Sequence, residues 1–186
     1  MYKLEKLAES DFPSVWKIMQ DSFPADERRT MENQKKLLSE EKYELLGCKK
    51  EGKLLSFFAL WQFEDFLFIE HFAVDKKARN GGLGAVMLSG LQKMNRKKII
   101  LEVEPPADEL TKRRVAFYER NGFCLNDYFY MQPAMAENTK PIPLKIMSYP
   151  NKLSMIDFEA VREKLYRSVY RQTENTIMHT GNETEM

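Results

Sequence analysis

The chain has 186 residues, 43% of them apolar, and a formal net charge of +1 from 29 basic and 28 acidic side chains. That size and composition suit a single domain with a real core, and the even charge excludes a protein that grips nucleic acid through a broad basic surface; a phosphate ligand would need a local patch. Cys48 and Cys124 stand far apart with no C-x-x-C pair, and the chain opens on polar Lys3, Glu5 and Lys6, so the expectation is a cytoplasmic protein with reduced, buried thiols, no zinc site, no signal peptide and no membrane span.

In chain order, Met1 to Lys6 reads as a short strand. Ser10-Asp11 reads as a helix N-cap, with Pro13 in the first turn. Phe12, Val15, Trp16, Met19 and Phe23 then mark one helical face, which Pro24 interrupts. Thr30 to Ser39 predicts a second, polar helix. Tyr43 to Lys49 and Lys53 to Phe63 predict two strands joined by a turn at Glu51-Gly52. The second carries Leu54, Leu55, Phe57, Phe58, Leu60, Trp61 and Phe63, a stripe that reads as core. Phe66 to Val74 is almost wholly apolar, as a strand buried on both faces is. Asp75 to Asn80 breaks that run with charge, and Gly81, Gly82 and Gly84 follow. Leu83, Met87, Leu91 and Met94 then share one helix face.

Ile99 to Glu104 reads as a buried strand that ends acidic and is stopped by Pro105-Pro106. A helix from about Asp108 to Asn121 follows, with Gly122 as its C′ residue. Tyr128 to Gln132 and Leu144 to Tyr149 read as strands, separated by a loop with Pro133, Pro141 and Pro143. Ser154 or Asp157 caps a last helix with Phe158, Val161, Leu165 and Val169 on one side; Tyr166 and Tyr170 read as packing residues. From Gln172 the tail is polar and is expected to be disordered. Helices alternating with two mid-chain strands, flanked by hairpin strands, give a mixed α/β domain, with a right-handed crossover joining the Phe66 and Ile99 strands.

The strand, basic glycine-rich loop and helix from Phe66 to Asn95 organise the chain. A helix N-terminus offers amide N–H groups without partners and the positive end of the dipole, and glycines let a bound group approach the backbone. A pyrophosphate would sit on the amides of Asn80 to Gly84, with Lys76, Lys77 and Arg79 beside it.

Arg79-Asn80-Gly81-Gly82-Leu83-Gly84 resembles the R/Q-x-x-G-x-G/A loop of the GNAT acetyltransferase superfamily, and the preceding Phe72-Ala73-Val74-Asp75 resembles that family's fourth strand. The loop fits neither a Walker A sequence nor the dinucleotide G-x-G-x-x-G pattern. Val115 to Phe123, reading VAFYERNGF, resembles the family's second signature, a helix ending in F/L-Y-x-x-x-G-F, and Leu101-Glu102-Val103 is similar to its L-E-V strand end. The resemblance covers about residues 1–150.

The resemblance implies a GNAT acyltransferase fold, in which a mixed central sheet splays between its fourth and fifth strands and is flanked by helices. It implies a GNAT domain over 1–150, a C-terminal helix packed on it over 151–171, and a polar tail over 172–186. It implies acetyl-CoA as cosubstrate and no metal. The pyrophosphate would lie on Arg79, Asn80, Gly81, Gly82, Leu83 and Gly84. Backbone groups of Phe72, Ala73 and Val74 would meet the pantetheine or polarise the thioester carbonyl, and Phe117 would line the cofactor site. Many members carry an asparagine where this chain has Thr111, which leaves that pantetheine contact open. Lys112-Arg113-Arg114 is either a solvated helix face or a contact for the 3′-phosphate.

For catalysis the resemblance points to Tyr118 as the acid that protonates the leaving thiolate. Glu102 is expected as the base, with Glu70 and Glu104 as rivals. His71 alternates with Glu70, so it is expected on the opposite face, as a core histidine. The first two helices and their loop wall the acceptor site in this fold, so Ser22 to Arg29 would stand there. Asp26, Glu27, Arg28 and Arg29 are either acceptor contacts or a solvated loop. The reading is an N-acetyltransferase that moves an acetyl group from acetyl-CoA to a primary amine, small or on a protein, by direct attack. The rival is a non-catalytic domain that senses or scaffolds acyl-CoA. No nucleic-acid or membrane partner is expected, and a homodimer stays open.

Overall fold

Glu51 and Gly52 both take positive φ, 52° and 75°, the pair of left-handed residues that a tight hairpin turn needs. They join β2 (Tyr43–Lys50) to β3 (Lys53–Gln62), and their place is the one expected from the turn dipeptide. In this computed structural model residues 2–135 and 140–172 are described, with Asp26 described by its backbone alone. The expected disorder of the tail therefore lies almost wholly outside the described residues, as does any acceptor contact by the Asp26 side chain. The chain divides into two compact units, Met1–Ile100 and Leu101–Met186.

In the first unit β1 (Glu5–Lys6), β2, β3 and β4 (Phe66–Val74) are successive antiparallel neighbours. α1 (Phe12–Ser22) and α2 (Met31–Lys36) lie between β1 and β2 in sequence. Thr30 caps α2 by accepting from the Asn33 amide at 3.3 Å. α3 (Leu83–Met94) leads from β4 to β5 (Lys98–Val103), which neighbours β4 in parallel, so the sheet is mixed and the protein is α/β. The core holds Val15, Met19, Phe57, Phe58, Leu60, Phe68 and Leu88, all fully buried. On α3, Leu83, Met87 and Leu91 are buried as expected, but Met94 is 65% exposed. It is the helix's last residue, and Leu88 instead completes the buried row.

β4 carries one irregularity. Ala59 of β3 pairs with His71, and the next residue, Leu60, pairs with Ile69. Glu70 is therefore an extra residue without a cross-strand partner, a β-bulge.

In the second unit the order is β5, β8 (Ile142–Tyr149), β6 (Cys124–Leu125), and β7 (Tyr130–Gln132) also pairs with β8. β6 has only two residues, too few for a periodic signal. β7 begins later than expected because Tyr128 donates its hydroxyl to the Leu153 carbonyl at 3.1 Å, tying that residue to the loop before α5 (Met155–Lys164). Ser154 caps α5 through the Asp157 amide at 3.1 Å. A π turn, Leu165–Val169, extends α5, and Phe158, Val161, Leu165 and Val169 are all buried. α4 (Glu109–Arg120) ends in two reverse bonds: the Phe123 amide donates to the Tyr118 carbonyl at 3.1 Å, and the Gly122 amide to the Glu119 carbonyl at 2.9 Å. That is a Schellman stop, with Gly122 at φ 86°. Of the two free thiols, Cys48 is buried but Cys124 is only half-buried, with Sγ 3.7 Å from the Pro150 carbonyl. Among the described residues, no helix is long and apolar enough to cross a membrane.

Candidate functional site

The first unit presents the glycine loop as an exposed anion cradle. Asp75 turns the chain out of β4 by accepting from the Lys77 amide at 2.8 Å. Arg79 folds back, donating from Nε to the Val74 carbonyl at 2.9 Å and from Nη2 to Ser22 Oγ at 3.0 Å. Its charge is thus pinned between the ends of β4 and α1. Asn80 and Gly82 follow at φ 66° and 75°. A Cβ added at Gly81 or Gly82 would meet nothing within 4 Å, so the loop keeps open space over its backbone. α3 then starts with no side chain capping it, which leaves first-turn amides for a ligand. Arg79, Asn80, Gly81 and Gly82 are exposed and Leu83 is buried beneath them, with Gly84 between these extremes. Just before the loop, Phe72 stacks on Phe58 with ring centroids 4.2 Å apart, and Ala73 is buried.

Four residues earlier than Val74, the bulge re-aims two side chains. The alternation rule expects Glu70 and His71 on opposite faces, but Glu70 Oε2 lies 3.6 Å from His71 Nδ1, with both side chains almost fully buried. The extra residue breaks the period of two, and so overturns that expectation. Arg29, from the segment between α1 and α2, donates to Glu70 Oε1 at 2.5 Å. Burial opposes a charge on Glu70, but the Arg29 cation and His71 outweigh it and hold the carboxyl at about 2. The rest of that segment knits to the same place: the Phe23 ring packs edge-on to His71 at 4.7 Å, and the Glu27 carbonyl lies 3.2 Å from His71 Nε2. Arg28 lies over the Trp16 ring at 5.0 Å. Arg29, one of the charges read as either acceptor contact or solvated loop, is buried and paired.

In the second unit Thr111 has a local task. Its amide donates to Asp108 Oδ1 at 2.8 Å, and its hydroxyl accepts from the Asp108 amide at 3.0 Å, closing a capping box at the start of α4. Lys112, Arg113 and Arg114 are exposed on the same helix, and Arg114 is bonded to Glu104. Tyr118 is half-buried, its ring edge-on to Phe117 at 5.3 Å and Phe123 at 5.6 Å. Desolvation pushes its phenol up to about 12, against a smaller opposing pull from Arg114. It therefore keeps its proton at neutral pH, and among the described residues no group accepts that proton.

Glu102 sits in a ring of neutral donors. Oε1 accepts from the Tyr130 hydroxyl, and Oε2 accepts from Gln132 Nε2 at 2.8 Å and from the Tyr170 hydroxyl at 2.6 Å. Gln132 Nε2 also lies 3.1 Å from the Tyr170 oxygen. Burial and the Glu102 charge drive the Tyr130 phenol well up from its usual range. Tyr170 was expected to pack, and it is buried, but its hydroxyl is what reaches Glu102. Tyr166 likewise donates to the Met131 carbonyl at 2.7 Å. No sequence signal links Tyr170 to a strand 68 residues before it. Among the described residues, no group of three or more metal-ligating side chains occurs.

A family model described as "Acetyltransferase (GNAT) family" matches residues 4–123. "Putative acetyltransferase YjbC" of Bacillus subtilis is 36% identical over 108 residues, covering 56% of this chain and 54% of that protein, so the match spans about half of that relative's length. A solved GNAT-family structure from Bacteroides thetaiotaomicron, also described as a putative acetyltransferase, superposes with a TM-score of 0.85 at 30% identity, over 92% of this chain and 99% of its own. The ribosomal-protein-S18-alanine N-acetyltransferase of Escherichia coli shares the fold, with a TM-score of 0.61 at 22% identity over 83% of this chain and 96% of its own.

Proposed function

We propose that this chain, which belongs to the GNAT acetyltransferase family, moves an acetyl group from acetyl-CoA to a primary amine. The observation that carries this reading is the exposed, uncapped start of α3, with left-handed Asn80 and Gly82 and the pinned Arg79 beside it. Arg79 to Gly84 hold the pyrophosphate. Phe72, Ala73 and Val74 offer backbone groups to the pantetheine and the thioester carbonyl, and Phe117 packs on the cofactor. Thr111 contributes by fixing where α4 starts.

In the reaction the amine nitrogen attacks the thioester carbon, the new N–C bond forms, and the C–S bond breaks. Tyr118, which keeps its proton at neutral pH, gives that proton to the departing thiolate. A backbone N–H stabilises the oxyanion. Glu102, oriented by Tyr130, Gln132 and Tyr170 among others, takes the proton that the amine must lose. Glu70 stays ionised in its buried pair with Arg29 and ties the segment after α1, the expected wall of the acceptor site, to β4. A panel of soluble primary amines incubated with acetyl-CoA, read as free thiol release, tests the reading. Turnover with at least one primary amine is expected. Stabilisation by coenzyme A without turnover on any amine would instead establish the acyl-CoA sensor or scaffold.

A further inference from the structure

Three groups that bond to Glu102 come from outside the family pattern. The family match ends at residue 123, and Tyr130, Gln132 and Tyr170 all lie beyond it. Tyr130 and Gln132 are two residues apart on β7, so they share one face of that strand, and both reach Glu102. Tyr170 follows the turn that extends the last helix. Its amide donates to the Leu165 carbonyl at 3.1 Å, five residues back, and Arg171 at φ 56° then turns the chain away. A left-handed residue other than glycine costs energy and persists where its surroundings hold it. The direction of the Tyr170 hydroxyl follows from its neighbours. Gln132 Nε2 donates to the Tyr170 oxygen at 3.1 Å and to Glu102 Oε2 at 2.8 Å. The one hydroxyl hydrogen of Tyr170 therefore lies in its own 2.6 Å bond to Glu102 Oε2. A bond of that length to a carboxylate belongs to the stronger, charge-assisted kind.

We propose that Tyr170 is a positioning residue for Glu102, and that the C-terminal turn which carries it sets the pH range over which Glu102 takes up a proton. The inference rests on the reading of Glu102 as the base and goes beyond it, because it makes the last helix part of the catalytic centre. A donor to the charged form of a carboxylate stabilises that form, so it extends ionisation to lower pH. Tyr130 faces Glu102 from β7, and Tyr170 faces it from the turn. Burial and the Glu102 charge push the Tyr130 phenol well up, so it remains a donor, and Tyr166 adds to that rise. Glu104, just past the end of β5, is itself bonded to Arg114 of α4. The same turn carries its own control. Tyr166 is as buried as Tyr170, but its hydroxyl hydrogen goes to the Met131 carbonyl at 2.7 Å. The two tyrosines thus share an element and a degree of burial, and they differ in what their hydroxyls serve.

The test uses the full chain, labelled with 13C at the glutamate carboxyls, with Glu102 assigned by its loss in Glu102→Gln. Its signal is titrated by NMR in wild type, Tyr170→Phe and Tyr166→Phe. In Tyr170→Phe the Glu102 midpoint is expected to rise by about one pH unit, because a bond to the charged form is lost. In Tyr166→Phe it stays at the wild-type position. The acidic limb of kcat/KM, measured with the primary amine that the panel turns over fastest, moves up with the midpoint in Tyr170→Phe, and coenzyme A affinity is unchanged. Denaturant unfolding checks that both variants are folded. Gln132→Met, which removes another donor to the same oxygen, is expected to raise the midpoint too and replaces Tyr170→Phe if that variant is unstable. Equal midpoints in all three proteins, or equal rises in both tyrosine variants, would overturn the proposal, because the turn would then only pack. A raised midpoint in Tyr170→Phe alone, with a stationary acidic limb or without thiol release from any amine, would uphold the tie between the turn and Glu102 and defeat Glu102 as the base.

Discussion

Glu70 and Glu102 are both glutamates on strands, and they are held in opposite ways. Glu70 is met by a full cation, Arg29, brought in by the segment after α1. Glu102 is met by Tyr130, Gln132 and Tyr170, all neutral. The contrast extends to the units that carry them. The first unit works through formal charge and backbone: Arg79, the open amides of α3, and the Arg29–Glu70 pair. The second works through neutral hydroxyls and an amide at Glu102, and carries in Tyr118 a phenol that keeps its proton. A charge pair keeps a buried carboxylate ionised whatever the pH near neutrality, which suits binding. Neutral donors orient a carboxylate without cancelling its charge, which suits proton transfer. Substitutions in the first unit should therefore appear as lost binding, and those in the second as lost turnover.

The largest effect is expected at the loop. Gly82→Asp places a carboxylate at the helix start and forces a residue with a side chain to φ 75°, so coenzyme A binding should fall below detection by calorimetry while circular dichroism shows a folded chain. Unchanged affinity would remove the pyrophosphate from this loop. Tyr118→Phe should leave that affinity intact and lower kcat by about 10²–10⁴-fold, since only the hydroxyl is lost. Full activity would make Tyr118 a packing residue and water the acid.

Glu102→Gln should lower kcat/KM by about 10²-fold at its worst, with the deficit greatest at acidic pH. An amine like that of lysine titrates near ~10.4, so it needs a base most where bulk hydroxide is scarcest. Glu70→Gln and Glu104→Gln measured over the same pH range give the comparison. A lost acidic limb in either one, with a wild-type profile for Glu102→Gln, would move the role.

For Glu70 the sharper prediction concerns stability. Its folded value is depressed from 4.5 to about 2, so its contribution is present above the unfolded value and is lost as pH falls through about 4 to about 2. A shift of that size corresponds to roughly 3 kcal/mol, and breaking the buried Arg29–Glu70 pair from one side would cost about 3–5 kcal/mol. Denaturant unfolding of wild type should weaken across that acid window, whereas Glu70→Gln should start lower and weaken less there, Asp11 and Asp108 being the carboxylates that still lose their partners. Equal slopes would show that the pair contributes nothing. The smallest effect is expected at Gly122→Ala, where a Cβ would lie 3.1 Å from Tyr149 Cε2 at φ 86°. A loss of about 1–2 kcal/mol follows from the left-handed backbone alone, read as a lower unfolding midpoint with kcat unchanged. A loss of kcat without a loss of stability would instead tie the Schellman stop to Tyr118.

The sequence by itself determined the elements and the motifs, because both are local. Apolar runs, turn and capping residues and helical periodicity placed β2 through β5 and α1, α3 and α4 within a residue or two. The glycine loop and the Gly122 helix stop were legible from backbone requirements that act over a few positions, and the F-Y-x-x-x-G-F helix end from its resemblance to a family signature. Only the tertiary structure decided how the charged and polar side chains are used. The bulge at Glu70 follows from the register between β3 and β4 and leaves no mark in a run as apolar as Phe66 to Val74, so period-two reasoning sent His71 to the wrong side. Arg29 was one of several equivalent charges in SFPADERR until folding buried it against Glu70. Tyr170 meets Glu102 only because the C-terminal helical turn is packed into the second unit. Hydrogen bonds between residues far apart in the chain depend on pairwise distance in space, and a pattern of neighbours along the chain carries no record of it.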